Sequence, residues 1–329
     1  MRITNRAIPE NSVVVVVGAN GYIAVETCEK LLQAGYRVRG IVRDVNKHRD
    51  WMNALFNDKW PGKFELVQVE DFEASAFDEA FRGASDVIYP SMPIIFNPST
   101  SKVHGPLIKG VLNTLESAAR ANVQRYVLGS SSKAVSSTVY NSPAKLGSDT
   151  FNQAAIAQAK NGPEEATFER MLAVYSAGRA LAELTFWDWV RENEPPFVAN
   201  CVVPDGQFGR VLDMRNLNVG AASSTGQLQR TLKGEWEEVG LELAFLTDNE
   251  RIFAYSVNRT WNDMRHKVRE LFPDRPSWCK GRTMLSREGT CQPPLGQLLE
   301  RKEILREIGQ PGFTSEDQVI RNFVASVYP

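Results

Sequence analysis

The string Val17-Gly18-Ala19-Asn20-Gly21-Tyr22-Ile23-Ala24 follows a run of valines, Val13–Val17, and opens an amphipathic stretch. Each small residue has a physical task at such a junction. Gly18 permits a sharp exit from a strand. Gly21 removes the side chain where a phosphate would approach the backbone, and Ala24 lets the following helix pack close to the sheet. The first turn of that helix presents N–H groups that no intrahelical carbonyl takes, which makes it a seat for an anion. The chemistry this spacing supports is the binding of a dinucleotide pyrophosphate.

A second position bears on which dinucleotide. Val42-Arg43-Asp44 closes the next strand pattern, about twenty residues beyond the turn, where this arrangement reads the ribose. An acidic side chain there would accept from a free 2′-hydroxyl and repel a 2′-phosphate. Arg43 stands there instead, with Lys47 and Arg49 downstream. A guanidinium can grip a phosphate with two parallel charge-assisted bonds, so NADP(H) is expected rather than NAD. The alternative is a solvated basic loop balanced by Asp44 and Asp50. Two other clusters carry hydroxyls: Leu128-Gly129-Ser130-Ser131-Ser132-Lys133 and Tyr175-Ser176-Ala177-Gly178-Arg179. In a helix, Tyr175 and Arg179 share one face at i, i+4.

The elements that must position these groups alternate between strand and helix patterns. Strands are expected at 13–17, 36–42, 64–69, 86–89, 125–129 and 197–203. Helices are expected at 22–34, ended by Gly35, around Phe72, Phe77 and Phe81, at 107–122 and at 171–193, the last stopped by Pro195 and Pro196. Repeated β-α-β units of this length predict an α/β fold, a Rossmann-type doubly wound parallel sheet covered by helices on both faces. After Pro204 the rhythm breaks into segments rich in Gly, Ser, Asn and Thr. A strand at 251–255 and helices at 261–271 and 297–308 follow. These divide the chain into a dinucleotide-binding domain, 1–203 and 250–272, and a smaller C-terminal substrate-capping lobe, 204–249 and 273–329.

Composition removes several classes of function. The 329 residues carry 38 basic and 39 acidic side chains, a net charge of −1, so no basic field exists to hold a nucleic acid. The four cysteines (Cys28, Cys201, Cys279, Cys291) form no CxxC pair, and His48, His104 and His266 are dispersed. This pattern predicts reduced thiols in a cytoplasmic protein with no metal site. No apolar run approaches a membrane-spanning length, so neither a membrane nor a nucleic acid is expected as a partner. Oligomeric state is not written in any pattern.

Taken together, these motifs resemble the extended short-chain dehydrogenase/reductase family, in the branch of dihydroflavonol reductases, cinnamoyl-CoA reductases and fungal aldehyde and ketone reductases. The resemblance extends to Gly110-Val111-Leu112-Asn113-Thr114-Leu115-Glu116-Ser117-Ala118 and to Gly309-Gln310-Pro311-Gly312-Phe313-Thr314-Ser315. It implies that NADPH reduces a small carbonyl compound, with Tyr175 as general acid and Ser132 holding the carbonyl oxygen; Ser131 takes that role if the register slips by one. It further implies that Asn20, Tyr22, Ile23, Ser91 and Pro204 line the cofactor beside Gly18 and Gly21, that Asp71 and Phe72 read the adenine edge (or serve as a helix cap and a core aromatic), and that Asn113 lies near the cofactor (or is a buried packing amide).

The chain departs from the family in two places. Arg179 stands where the family has a lysine that binds the nicotinamide ribose and lowers the tyrosine pKa. Arginine keeps the charge but cannot release a proton, so restoring lysine is expected to raise turnover where the arginine is merely tolerated. The segment at 235–248 reads as clipped by about one strand-and-turn unit. Two other functions therefore stay open: an impaired or non-redox NADP(H)-binding relative, and an epimerase or dehydratase of the same extended fold.

Overall fold

The structure, a computed structural model, describes residues 6–71, 73, 75–137, 146–147, 149–213, 224–233, 251–254, 261–279 and 314–328. Valines build its centre. Val15 and Val17 of β1 (Val13–Val17) join the core under α4 (Thr100–Arg120) and α6 (Phe168–Asn193), whereas Val16 joins the core under α1 (Tyr22–Gln33) and α2 (Val45–Phe56). Successive side chains of a strand point to opposite faces, so a strand covered on both sides must be apolar at every position. Each buried valine contributes roughly 1.5–3 kcal/mol, which makes this short strand the anchor of the sheet.

Around it stand β2 (Arg37–Val42), β3 (Phe64–Gln68), β4 (Asp86–Tyr89), β5 (Arg125–Gly129), β6 (Val198–Pro204) and β7 (Arg251–Ala254). The order is β3-β2-β1-β4-β5-β6-β7, and each neighbouring pair is parallel. The chain reverses direction of growth between β1 and β4, and in such sheets the crevice at the carboxyl ends of those two strands is the binding edge. All residues singled out above for chemistry at strand ends (Gly18, Arg43, Ser91, Ser130 to Ser132, Pro204) follow or close the carboxyl ends of β1, β2, β4, β5 and β6.

Most expected strands and helices appear within a residue or two of their sequence patterns. The exceptions have physical causes. α2 is unannounced because charged residues crowd it, yet His48, Trp51, Met52 and Phe56 fall on one buried face. α5 (Gln153–Asn161) buries only Ala155 and Ala159, too small to mark a stripe. α4 begins seven residues before the expected 107, passing through Gly105 and Pro106. Proline in a helix interior costs about 3 kcal/mol. Here Val103 and Leu107, both 0% exposed, flank it and drive the first turns against the core. The expected helix at 297–308 and the segment at 235–248 lie outside the described residues.

A second core joins α7 (Ser224–Lys233), α8 (Trp261–Leu271) and α9 (Glu316–Val327) through Leu228, Leu232, Val268, Ile320 and Phe323. Val211, soon after β6, belongs to it, and Tyr22 of α1 packs against it. Arg210 pairs with Glu26 at 3.1 Å and with the buried Glu29, pinning the chain after β6 to α1. Among the described residues, no helix is long and apolar enough to cross a membrane, and no cluster of three His, Cys, Asp or Glu could hold a metal.

Asp86, at the start of β4, leads to a test of stability. Its Oδ1 is buried without a hydrogen-bond partner, and burial pushes the carboxyl from 3.8 up to about 6, an effect that Arg125 only partly offsets. A pKa raised on folding means that the folded state binds the proton more tightly. The stabilising contribution is present below the unfolded value and is lost as pH rises through about 6. Asp86→Asn is therefore expected to raise stability at neutral pH and to flatten the pH dependence between about 4 and 6. Urea melts of both proteins across that range check it; a variant less stable at neutral pH contradicts it.

Candidate active site

The serine run begins where two strands nearly touch. A Cβ on Gly129 would overlap the Pro90 carbonyl, so only glycine lets β5 run beside the exit of β4. The three serines that follow have separate tasks. Ser130 donates its hydroxyl to Glu183 of α6, a carboxylate that is 0% exposed and also lies 3.4 Å from the Trp187 indole nitrogen. Ser131 caps a short 3-10 turn, Ser132–Ala134, by accepting from the Lys133 N–H. Ser132, itself buried, donates to Asp205 Oδ1 at 2.6 Å. With Ser131 occupied as a cap, Ser132 is the serine whose hydroxyl reaches the carboxyl end of β6, and the turn that carries it packs on α6.

α6 starts at Thr167, whose hydroxyl accepts from the Arg170 N–H. The helix then grips the loop after β4 at two points. Arg170 Nε donates to the Pro98 carbonyl at 3.0 Å. Arg179 Nη2 donates to the carbonyls of Met92 at 3.0 Å and Pro93 at 2.9 Å. Between these anchors the Phe96 ring stacks on half-buried Tyr175, with centroids 5.0 Å apart and planes at 10°. The Arg179 guanidinium carbon also sits over the Tyr175 ring at 4.9 Å, a cation–π contact. Arg179 is 2% exposed and its Nε has no acceptor, so the two carbonyls and the ring are what offset the burial of its charge. Ile94, Phe96 and Phe168 are exposed, which leaves apolar surface on the loop and at the start of α6.

At the other end of the crevice, Gly18 adopts a φ of +67°, which a side chain would strain, and the Gly21 N–H bonds the Gly18 carbonyl at 2.9 Å. Gly21 caps α1 without any side-chain hydrogen bond, and Ala24 is buried against the sheet. Asn20 and Ile23 flank the turn half-buried; the Tyr22 ring serves the second core. Arg43 and Lys47 are exposed beside the N-terminus of α2, which Asp44 caps. His48, on the buried face of α2, is held below its ordinary pKa first by burial and then by the charges of Lys47 and Arg43, with Asp44 opposing. Burial pushes the Tyr89 phenol, at the end of β4, far up, and the charges of Arg179 and Arg43 pull it only partly back.

Other expected positions fall as follows. Asp71 is exposed after β3, and Phe72 lies outside the described residues. Ser91 is exposed just after β4, with its hydroxyl 3.3 Å from the Met92 carbonyl. Pro204 closes β6 opposite Ala254 of β7, and Asn113 is buried in α4. Sequence reasoning did not mark Asp205, Glu183 or Arg170. Asp205 follows Pro204 directly, which was a readable signal; the other two are polar residues of a helix whose partners only the tertiary fold reveals. The donor set suits a dinucleotide phosphate: backbone N–H groups at an uncapped helix start, a left-handed glycine, and two cations at the ribose end.

The topology and the turn define the class, a Rossmann-type α/β protein. A model of the NAD dependent epimerase/dehydratase family matches residues 14–197. The chain belongs to that family. "Aldehyde reductase 2" of Sporidiobolus salmonicolor is 30% identical over 99% of this chain and 98% of its own length. "Ketoreductase adrE" of Penicillium rubens is 30% identical over 82% of this chain and 83% of its own. Among solved structures, the yeast methylglyoxal/isovaleraldehyde reductase Gre2 complexed with NADPH aligns over 96% of this chain and 98% of that one, with a TM-score of 0.74 at 19% identity, a likeness of fold.

The Arg179 contacts bear on what a lysine at this position would cost the fold. An ammonium is a point charge with no planar group, so a lysine that met the Met92 and Pro93 carbonyls would not at the same time lay a guanidinium over the Tyr175 ring. Arg179→Lys is expected to lower stability by about 1–3 kcal/mol, the cost of buried acceptors left unpaired. Denaturant melts of the two proteins measure it, and equal midpoints would remove the clamp from the account.

Proposed function

We propose that the protein is an NADPH-dependent reductase of a small apolar aldehyde or ketone. What supports this reading is that the turn carrying Ser132 packs on α6, the helix that carries Tyr175, while the glycine turn and Arg43 follow the carboxyl ends of β1 and β2 in the same parallel sheet. The names of the full-length relatives support the reductase class, and the NADPH complex of the yeast fold neighbour supports the cofactor. Gly18, Asn20, Gly21, Tyr22 and Ile23 would hold the pyrophosphate through the backbone. Arg43 with Lys47 would take the 2′-phosphate, Asp71 and Phe72 the adenine, and Ser91, Pro204 and Arg179 the nicotinamide half. When bound, the cofactor supplies a hydride equivalent to the carbonyl carbon. Tyr175 gives its phenolic proton to the carbonyl oxygen as charge develops there, and Ser132 orients that oxygen. Phe96, stacked on Tyr175, keeps water off the phenol and selects apolar carbonyl compounds. The dinucleotide domain spans the sheet, and the lobe built on the second core caps it.

One observation favours a second reading. Arg179 Nη2 is committed to the Met92 and Pro93 carbonyls, which suits a protein that binds NADP(H) without turning over a carbonyl. NADPH oxidation against a panel of aldehydes and ketones separates the two: turnover supports the reductase, whereas tight NADPH binding with no turnover supports the binder.

Two substitutions test the assigned roles. Arg43→Asp is expected to weaken NADPH binding by about 1.5–3 kcal/mol while leaving NADH binding nearly unchanged, the range for charge-assisted contacts. Titration of both cofactors decides it, and a wild type that prefers NADH sinks the assignment. Tyr175→Phe is expected to cut turnover by roughly 10²–10⁴-fold, the contribution of a general acid, at unchanged NADPH affinity. Undiminished turnover in that variant would remove Tyr175 from the chemistry.

A further inference from the structure

Ser132 and Asp205 form a pair that the reductase mechanism does not use. The serine hydroxyl donates to Asp205 Oδ1 at 2.6 Å, the length of a charge-assisted O–H···O⁻ bond. Ser132 is 9% exposed, so water offers little competition for that proton. A hydroxyl owns one proton and two lone pairs, and a carboxylate can only accept. While the bond stands, the Ser132 oxygen can only accept from any other partner. A substrate carbonyl oxygen is also only an acceptor, so the two cannot bond. An alcohol oxygen carries a proton and can donate it to Ser132.

We infer that Asp205 is a positioning residue that sets the polarity of Ser132, turning the site toward the alcohol and away from the carbonyl compound. This rests on the reductase reading above and adds a residue to it. The consequence is a built-in brake on reduction: the carbonyl compound must recover the Ser132 proton from Asp205 before the serine can help it. The product alcohol meets a ready acceptor and leaves slowly. No group is oxidised or reduced by the pair itself; only the direction of one hydrogen bond changes.

Asp205→Asn is the informative variant because its amide can donate to Ser132 Oγ and release the serine proton toward the site. It is expected to raise carbonyl turnover about fivefold and to weaken binding of the product alcohol to the NADP⁺ complex by a similar factor, the worth of one hydrogen bond. NADPH affinity should stay unchanged. Asp205→Ala, which removes the acceptor without adding a donor, should move both quantities the same way and serves if the asparagine variant folds poorly. Turnover follows NADPH absorbance, and calorimetry reads the alcohol. A merely structural residue would weaken both ligands together, so opposite movement of carbonyl and alcohol is the signature. Turnover that is unchanged or lower in both variants overturns the brake. A gain that persists when Ser132→Ala is added overturns it too, since the effect would not pass through the serine. The reductase reading fails separately, when neither wild type nor variant turns over any carbonyl compound while both bind NADPH.

Discussion

A guanidinium buried to 2% exposure cannot be left without acceptors, and where Arg179 finds them fixes much else. Its partners are two consecutive backbone carbonyls, those of Met92 and Pro93. Carbonyls supply no countercharge, so the arrangement is neutralised only by dipoles and by the face of Tyr175. Such a site tolerates little movement, because any shift of the loop leaves a buried charge underpaired. Arg170, nine residues earlier on the same helix, holds the far end of the loop through Pro98. The loop is therefore strapped to α6 at both ends, and Phe96 is held against Tyr175 between the straps.

The same helix is tied to the serine end of β5. Glu183 lies four residues beyond Arg179 and accepts from Ser130, so α6 carries two buried cations, Arg170 and Arg179, toward the loop after β4 and one buried anion toward β5. Charged side chains are costly inside a core, yet here they specify register. A helix packed only through Ala173, Ala177 and Ala180 could slide or rotate at small cost; these polar contacts admit one position. The helix that carries Tyr175 is thereby set against the turn that holds Ser132. The anion end of the crevice depends on none of this, being made of backbone N–H groups and a left-handed glycine.

That division explains what was legible in the sequence. The valine strand, the glycine turn and the arginine after β2 are local patterns, since each acts through backbone geometry or through charge at a fixed offset from a strand. They stand where the spacing placed them. Tyr175 was legible through its spacing to Arg179 and through a family resemblance that linked it to the serines. Phe96, Arg170, Glu183 and Asp205 each act through a partner 53 to 79 residues away in the chain. No periodicity announces such pairs. α2 and α5 were hidden for another reason: their buried faces use His48, Trp51 and small alanines, which a search for aliphatic stripes passes over.

The substitution of arginine for the family's lysine takes on a different meaning in this setting. A lysine at that helix position would leave the Met92 and Pro93 carbonyls to other donors and would free the tyrosine ring of its cation. Arginine does both jobs, loop strap and ring contact, with a single group that cannot give up its proton. On the proposed mechanism, any resupply of a proton to Tyr175 would come from a group other than Arg179, and the Ser132 hydroxyl is committed to Asp205. Rigidity around the phenol and restricted proton traffic thus come from the same residues. The contacts that hold the tyrosine in place, the Phe96 ring on one side and the Arg179 guanidinium on the other, are also the ones that enclose its ring.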